Sequence, residues 1–114
     1  MSKRHDLAVV VPVFDTSPIY VDQCVASLYR AALFYRLASV SVILVDDGST
    51  MHNVNRYDKT VEQWRKQGLD IALLSHEENR GMAAARDVGI RSAKADWVVL
   101  VDSDDMVSPW AFEA

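Results

Sequence analysis

Four short apolar runs, each followed by turn-forming or polar residues, constrain this chain more than any other feature. They lie at residues 7–11, 40–45, 71–74 and 97–101 and are rich in Val, Ile and Leu. Runs this short, apolar on both alternating sets of positions, read as strands buried on both faces, the kind found in parallel sheets. Between them lie segments with helical spacing. Thr16 or Ser17, followed by Pro18, reads as a helix start. Val21, Cys24, Val25, Leu28, Ala32 and Tyr35 then form one apolar stripe. A second helix is predicted over about 55–67, with Val61 and Trp64 inward and Gly68 ending it. A third is predicted over 82–93, where Ala83, Ala84, Ala85 and Gly89 leave it slim enough to lie close on a sheet. Residues 109–112 are read as the start of another helix. The order is βαβαβαβ, which implies an α/β fold of Rossmann-like, three-layer type. Its mainly parallel sheet has about four strands joined by right-handed crossovers.

The 114 residues suit one domain, with no internal repeat, low-complexity tract or linker. Half of the residues are hydrophobic and a quarter charged, which excludes a disordered chain. The formal net charge of −4 argues against a nucleic-acid partner, because such proteins present a basic face. Cys24 is the single cysteine, so no internal disulfide forms. A reducing, cytoplasmic setting is expected. The charged N-terminus leads into a run that stops at Pro12 without a small-residue cleavage site, unlike a signal peptide. No apolar stretch reaches the ~20 residues of a membrane helix. Any membrane association of the protein is expected to be peripheral, at the cytoplasmic face.

In open parallel sheets, ligands bind beyond the carboxyl ends of the strands. Here those ends carry residues 12–15, Asp46-Asp47-Gly48-Ser49 and Asp102-Ser103-Asp104. Asp-Gly-Ser is ordinary turn chemistry, and short acidic tripeptides are usually solvated surface. Position gives these clusters weight, since both directly follow apolar strands. Carboxylates gathered at one edge repel one another, and a hard divalent cation relieves this. Mg²⁺ typically shares its shell between one or two carboxylates and substrate phosphates.

Four motifs, in order, resemble glycosyltransferase family 2, whose fold is GT-A. Val11-Pro12-Val13-Phe14-Asp15 is similar to the family's opening Val-Pro-x-Tyr-Asn. Val45-Asp46-Asp47-Gly48-Ser49-Thr50 matches its Val-Asp-Asp-Gly-Ser. Residues 79–90, beginning Asn79-Arg80-Gly81 and running through Ala85-Arg86-Asp87-Val88-Gly89, resemble its Asn-x-Gly-x-x-x-Ala-Arg-Asn-x-Gly. Val101-Asp102-Ser103-Asp104-Asp105 matches its Asp-x-Asp signature. The resemblance covers about residues 7–109.

The resemblance implies a nucleotide-diphosphate sugar, a UDP-sugar first of all, as ligand. It assigns Pro12, Val13, Phe14 and Asp15 to the base and ribose pocket. Asp47 would accept the imide N–H of a uracil-like base. Gly81, Ala84 and Arg86 would close over the nucleotide, with Arg86 meeting a phosphate or an acidic-edge carboxylate. Asp102 and Ser103 would lie near the ribose and metal, and Asp102 and Asp104 would hold Mg²⁺ or Mn²⁺. The chain departs from the family pattern at Phe14, Asp15, Met51 and Asp87, positions that bear on donor choice. The resemblance also implies that residues 1–114 are the donor-binding portion of a longer domain, lacking the C-terminal acceptor half. The general base for an inverting transfer is then expected beyond residue 114. Asp105 is read as a helix cap or a support to the metal motif, and Glu113 has no place in the pattern. The uncovered apolar surface of such a portion predicts a homodimer.

Two other readings are open. A receiver-type signalling domain has a similar length and an acidic pocket. It needs its acidic pair after the first strand and a lysine ending a fifth, whereas here Pro12 follows the first and no fifth strand is evident. A non-catalytic nucleotide-binding or interaction module is the other. His5, His52 and His76 have no ligand spacing and are read as solvated. Cys24 is read as a small hydrophobe. Trp64 and Trp97 are assigned to the core, and Trp110 either to the donor pocket or to exposed surface near the end of the chain.

Overall fold

The computed structural model describes residues 5–34 and 39–112; Tyr35 and Glu113 lie outside them. Seven elements alternate as the sequence predicts: β1 (His5–Val13), α1 (Pro18–Phe34), β2 (Val40–Asp47), α2 (Met51–Lys66), β3 (Asp70–His76), α3 (Met82–Ser92) and β4 (Ala95–Leu100). All strand pairs are parallel, in the order β3-β2-β1-β4. The chain winds outward from β1 to β3, then crosses to β4 on the other side of β1. The strand order therefore reverses beside β1, and the crevice it opens is where such sheets take ligands. A receiver-type sheet would instead place β1 between the second and third strands.

Alternation along β1 divides its side chains between two cores. Leu7, Val9, Val11 and Val13 join Val42, Leu44 and Ile71 against Val21, Cys24, Val25 and Leu28 of α1 and Tyr57 and Val61 of α2. Val10 joins Ile43, Val45 and Ala85 on the α3 side. Gly89 makes that second interface possible. A Cβ there would sit 2.3 Å from Val10 Cγ1, so only a bare backbone lets α3 lie so near the sheet. On the first face, Trp64 donates from Nε1 to Asp22 Oδ1 at 3.2 Å, and its ring lies 5.1 Å from that of Tyr29. Gly68, at φ +96°, ends α2: its N–H donates to Arg65 O while the Leu69 N–H reaches Trp64 O. This is the paired closure expected of a left-handed cap.

Three sequence expectations need correction. Helix α2 starts at Met51, four residues before the predicted start, because Thr50 caps it and accepts from the Asn53 N–H at 3.4 Å. Residues 51–54 carry no apolar stripe, so only the cap marks that start. Residues 109–112 form turns rather than a helix, which also leaves Asp105 no helix to cap among the described residues. Trp97 is not core: it lies on edge strand β4 and is 74% exposed. Trp110 is exposed and meets Phe34 edge-on, with ring centres 6.1 Å apart.

Candidate functional site

The carboxyl ends of the strands open onto a cleft of about 410 Å³. Pro12, Phe14 and Thr16 line it from the end of β1, Asp47 from β2, Asn79, Gly81, Met82 and Arg86 from the approach to α3 and its first turns, and Asp102, Ser103 and Asp104 from the end of β4. Eight of the residues singled out in the sequence thus share one cavity: Pro12, Phe14, Asp47, Gly81, Arg86, Asp102, Ser103 and Asp104. Val13, Asp15 and Ala84 do not line it. Val13 is fully buried in the α1/α2 core.

Asp15 turns away from the cleft. Its backbone is left-handed at φ 49°, a conformation Asp and Asn tolerate better than other side-chain-bearing residues. Its N–H donates to Ser49 Oγ at 2.8 Å, and its Oδ1 accepts from the Thr50 N–H at 2.8 Å and Asn53 Nδ2 at 3.3 Å. The carboxylate therefore sits at the N-terminus of α2, where the exposed amides favour negative charge.

Alternation separates the two aspartates that end β2. Asp46 shares the α1/α2 face with Leu44, and Asp47 shares the α3 face with Val45. Asp47 is fully buried. Its Oδ1 accepts from the Arg80 N–H at 2.8 Å and lies 3.0 Å from His76 Nδ1, while its Oδ2 accepts from the Gly81 N–H at 2.8 Å. Burial alone pushes this carboxyl up, but those hydrogen bonds and the charge of His76 outweigh it, leaving Asp47 below the usual carboxylate range. Asp46 shifts the other way. Its Oδ1 accepts from the Ser49 N–H at 3.2 Å, but its Oδ2 is buried without a partner among the described residues. Burial, with repulsion from Asp15 and Asp47, exceeds the help from Ser49 and raises its pKa.

The β4 end differs again. Asp102 and Asp104 are exposed, and their carboxylates make no hydrogen bond or ion pair with a described residue. Ser103 between them is buried, with its Oγ 2.5 Å from Thr16 Oγ1. Tyr57 donates its hydroxyl to Thr16 O at 2.5 Å, and Val107 N–H donates to Ser27 Oγ at 3.1 Å. Helix α1 and its leading loop thus hold the acidic segment in place. The Cys24 thiol lies 3.7 Å from Asp102 O. Burial, then Asp105, Asp104 and Asp102, push it up to about 12.

Among the described residues, no group of three or more His, Cys, Asp or Glu side chains is arranged to hold a metal ion. Among the described residues lining the cleft, Asp102 and Asp104 carry the carboxylates that have no hydrogen bond or ion pair to another described residue. That donor set suits a cation that takes the rest of its shell from a ligand, not one caged by protein. No helix among the described residues is long and apolar enough to cross a membrane.

Thr16 escaped the sequence reading because its place beside Pro18 marks it as a helix start. His5 and His76 were expected in solvent. Their side chains are 13% and 9% exposed, each against an aspartate, Asp70 and Asp47. The available signal was register: His76 ends β3 directly beside Asp47 at the end of β2.

The profile of the family described as glycosyl transferase family 2 matches residues 8–114. The chain is 30% identical over 107 residues to the uncharacterized glycosyltransferase EpsJ of Bacillus subtilis, covering 94% of this chain and 28% of that protein. It is 34% identical over 102 residues to glycosyltransferase GlyG of Streptococcus pneumoniae, covering 89% and 31%. It therefore spans about a third of the length of these relatives or less. Among solved structures, S. aureus TarS 1-349 superposes with a TM-score of 0.76 at 26% identity, covering 95% of this chain and 30% of TarS. The mannosyltransferase PcManGT of Pyrobaculum calidifontis, in complex with GDP-Man and Mn²⁺, gives 0.74 at 23%, covering 92% and 29%. GalNAc-T7 with UDP, GalNAc and Mn²⁺ gives 0.73 at 20%, covering 92% and 19%. The fold shared with these proteins is GT-A.

Proposed function

The chain belongs to glycosyl transferase family 2, and we propose that its cleft binds the nucleotide-diphosphate sugar from which such an enzyme transfers a sugar to a hydroxyl acceptor. One observation carries this reading: four segments far apart in the sequence converge on a single cleft at the switch point of the sheet. In this reading Pro12, Phe14 and Thr16 flank the base and ribose. Arg86, a cation on the cleft without an ion pair to a described residue, meets the diphosphate. Asp102 and Ser103 lie toward the ribose. Asp102 and Asp104 hold Mg²⁺ or Mn²⁺, which would supply countercharge for the departing nucleoside diphosphate. The Mn²⁺ in two proteins of the same fold supports this choice of ion. The uracil nucleotide is the first choice of donor, and the GDP-Man of PcManGT makes guanine its competitor.

Asp47 enters this reading with an altered part. Its oxygens already accept from two backbone amides and sit beside His76, so its first task is to hold the cleft wall. An inverting transfer also needs a base to take the acceptor's proton. Of the cleft carboxylates, Asp47 is committed to the fold and the other two to the cation. The base is therefore assigned to the part of the relatives' length this chain does not span. The buried free thiol of Cys24 supports a reducing, cytoplasmic setting.

Thermal unfolding with UDP, GDP and dTDP, each with and without Mn²⁺, tests the reading. One nucleotide with Mn²⁺ is expected to stabilise the chain, by about 2.7 kcal/mol at a hundred times its Kd. No stabilisation by any nucleotide would overturn the reading. Stabilisation that does not need Mn²⁺ would overturn the metal assignment alone.

A further inference from the structure

We infer that His76 is a positioning residue for the cleft, orienting the Asp47 carboxylate that holds the 79–81 turn against the sheet. This rests on the reading of the cleft as a donor site only for its consequence in binding. The seating of the turn is a property of the fold itself.

Donor chemistry fixes the roles in this pair. Asp47 is fully buried and accepts from the Arg80 and Gly81 backbone N–H groups. A carboxylate held by several donors keeps its charge, and a charged carboxylate has no proton to give. The 3.0 Å contact with His76 Nδ1 therefore requires the proton on Nδ1, with the imidazole donating. His76 Nε2 is buried and has no hydrogen-bond partner among the described residues. The ring thus serves Asp47 through one nitrogen.

Among the described residues, Asp47 is the side chain that hydrogen-bonds the backbone of this turn. A Cβ on Gly48 would come within 2.4 Å of Asn79 N, so Glu78 and Asn79, which lead into the turn, lie directly against the β2–α2 turn, backbone to backbone. Gly81, which precedes α3, has no side-chain cap and stands at φ 96°. The carboxylate of Asp47 is the polar anchor there, and it has two oxygens to aim. Oδ2 serves Gly81 alone, while Oδ1 is shared between Arg80 and His76. Removing the imidazole N–H frees the carboxylate to rotate and loosens both amides. Asn79, Gly81 and Met82 line the cleft at this point, and Arg86 follows one helical turn later. A loosened turn therefore moves the wall that faces the ligand.

Amide hydrogen exchange on the full chain, read residue by residue for wild type, His76→Leu and His76→Asn, tests the inference. Asn places an N–H donor near the position of Nδ1; Leu fills space without one. Exchange at Arg80 and Gly81 is expected to rise about tenfold or more in His76→Leu, the effect of losing one hydrogen bond. It should stay within about threefold of wild type in His76→Asn, with β1 amides unchanged in both. Affinity for the nucleotide that stabilises the wild type with Mn²⁺ should fall in parallel, about tenfold for Leu and little for Asn. Unchanged exchange at Arg80 and Gly81 in His76→Leu would overturn the inference. So would exchange that rises throughout the chain, or an Asn variant no better than Leu. If the amides loosen while affinity holds, the role in the cleft is overturned. If wild type binds no nucleotide, the donor reading fails, and exchange still decides whether His76 seats the turn.

Discussion

Strands β2 and β4 both end in aspartates at the same edge of one sheet, yet the two clusters have opposite characters. Asp46 and Asp47 are buried and bonded into the fold, while Asp102 and Asp104 stand exposed, their carboxylates without a hydrogen bond or ion pair to a described residue. Location makes the difference. Strand β2 is flanked by β1 and β3 and roofed by its own turn and by residues 79–81, so its carboxylates must find donors or lose charge. Strand β4 has β1 on one side and is largely exposed, so its carboxylates keep their water. An acidic pair after an apolar strand is therefore two different things: a structural clamp where the strand is central, and a free ligand-facing edge where it is not.

The largest test of this contrast is stability. Asp47→Ala strands two backbone amides and the His76 N–H and should cost about 3–5 kcal/mol in urea unfolding. Asp104→Ala should change stability by no more than about 0.5 kcal/mol. Comparable losses would break the contrast. Nucleotide binding reverses the ranking: Asp104→Ala should remove the Mn²⁺-dependent stabilisation, about 2.7 kcal/mol at a hundred times Kd, while leaving the fold intact. Retained Mn²⁺ dependence in that variant would move the cation elsewhere.

Smaller effects sharpen the contrast within the first cluster. The pKa of Asp47 is lowered in the folded chain, so its contribution is present above the unfolded value near 3.9 and is lost as pH falls through the folded one. The stability gap between wild type and Asp47→Asn should close as pH drops below about 4. The pKa of Asp46 is raised, so the folded state holds its proton longer and stability falls as pH rises from about 3.9 through the folded value. Asp46→Asn should therefore be neutral or stabilising at pH 7, by less than about 1 kcal/mol, because the amide keeps the Ser49 bond. A clear loss on that substitution would mean that Asp46 is charged and paired. The smallest effect concerns Cys24. Its thiol, raised to about 12 first by burial and only then by the acidic segment, should resist alkylation at pH 8 in wild type and in Asp104→Ala alike. Rapid labelling of the variant alone would show that the acidic field, not burial, protects the thiol.

By itself the sequence determined the alternation of strands and helices, the parallel sheet, the carboxyl edge as the place for a ligand, and most of the cleft residues. The elements and the turns are local matters of periodicity and turn chemistry, whereas the parallel sheet followed from the alternation along the whole chain and the cleft residues from four motifs in order over about residues 7–109. The start of α2 was legible too, through Thr50, but the apolar stripe that usually marks a helix begins later. What the tertiary structure alone decided was which strand is central and which is an edge. Residues 40–45 and 97–101 are similarly apolar, yet β2 is buried along its length and Trp97 lies in the open. The same choice turned Asp15 toward α2, gave Asp46 and Asp47 opposite pKa shifts, and set His76 beside Asp47 across 29 residues of chain. The physical reason is common to all of them. A buried charge is defined by its donors, and those donors come from segments that only the folded sheet brings together.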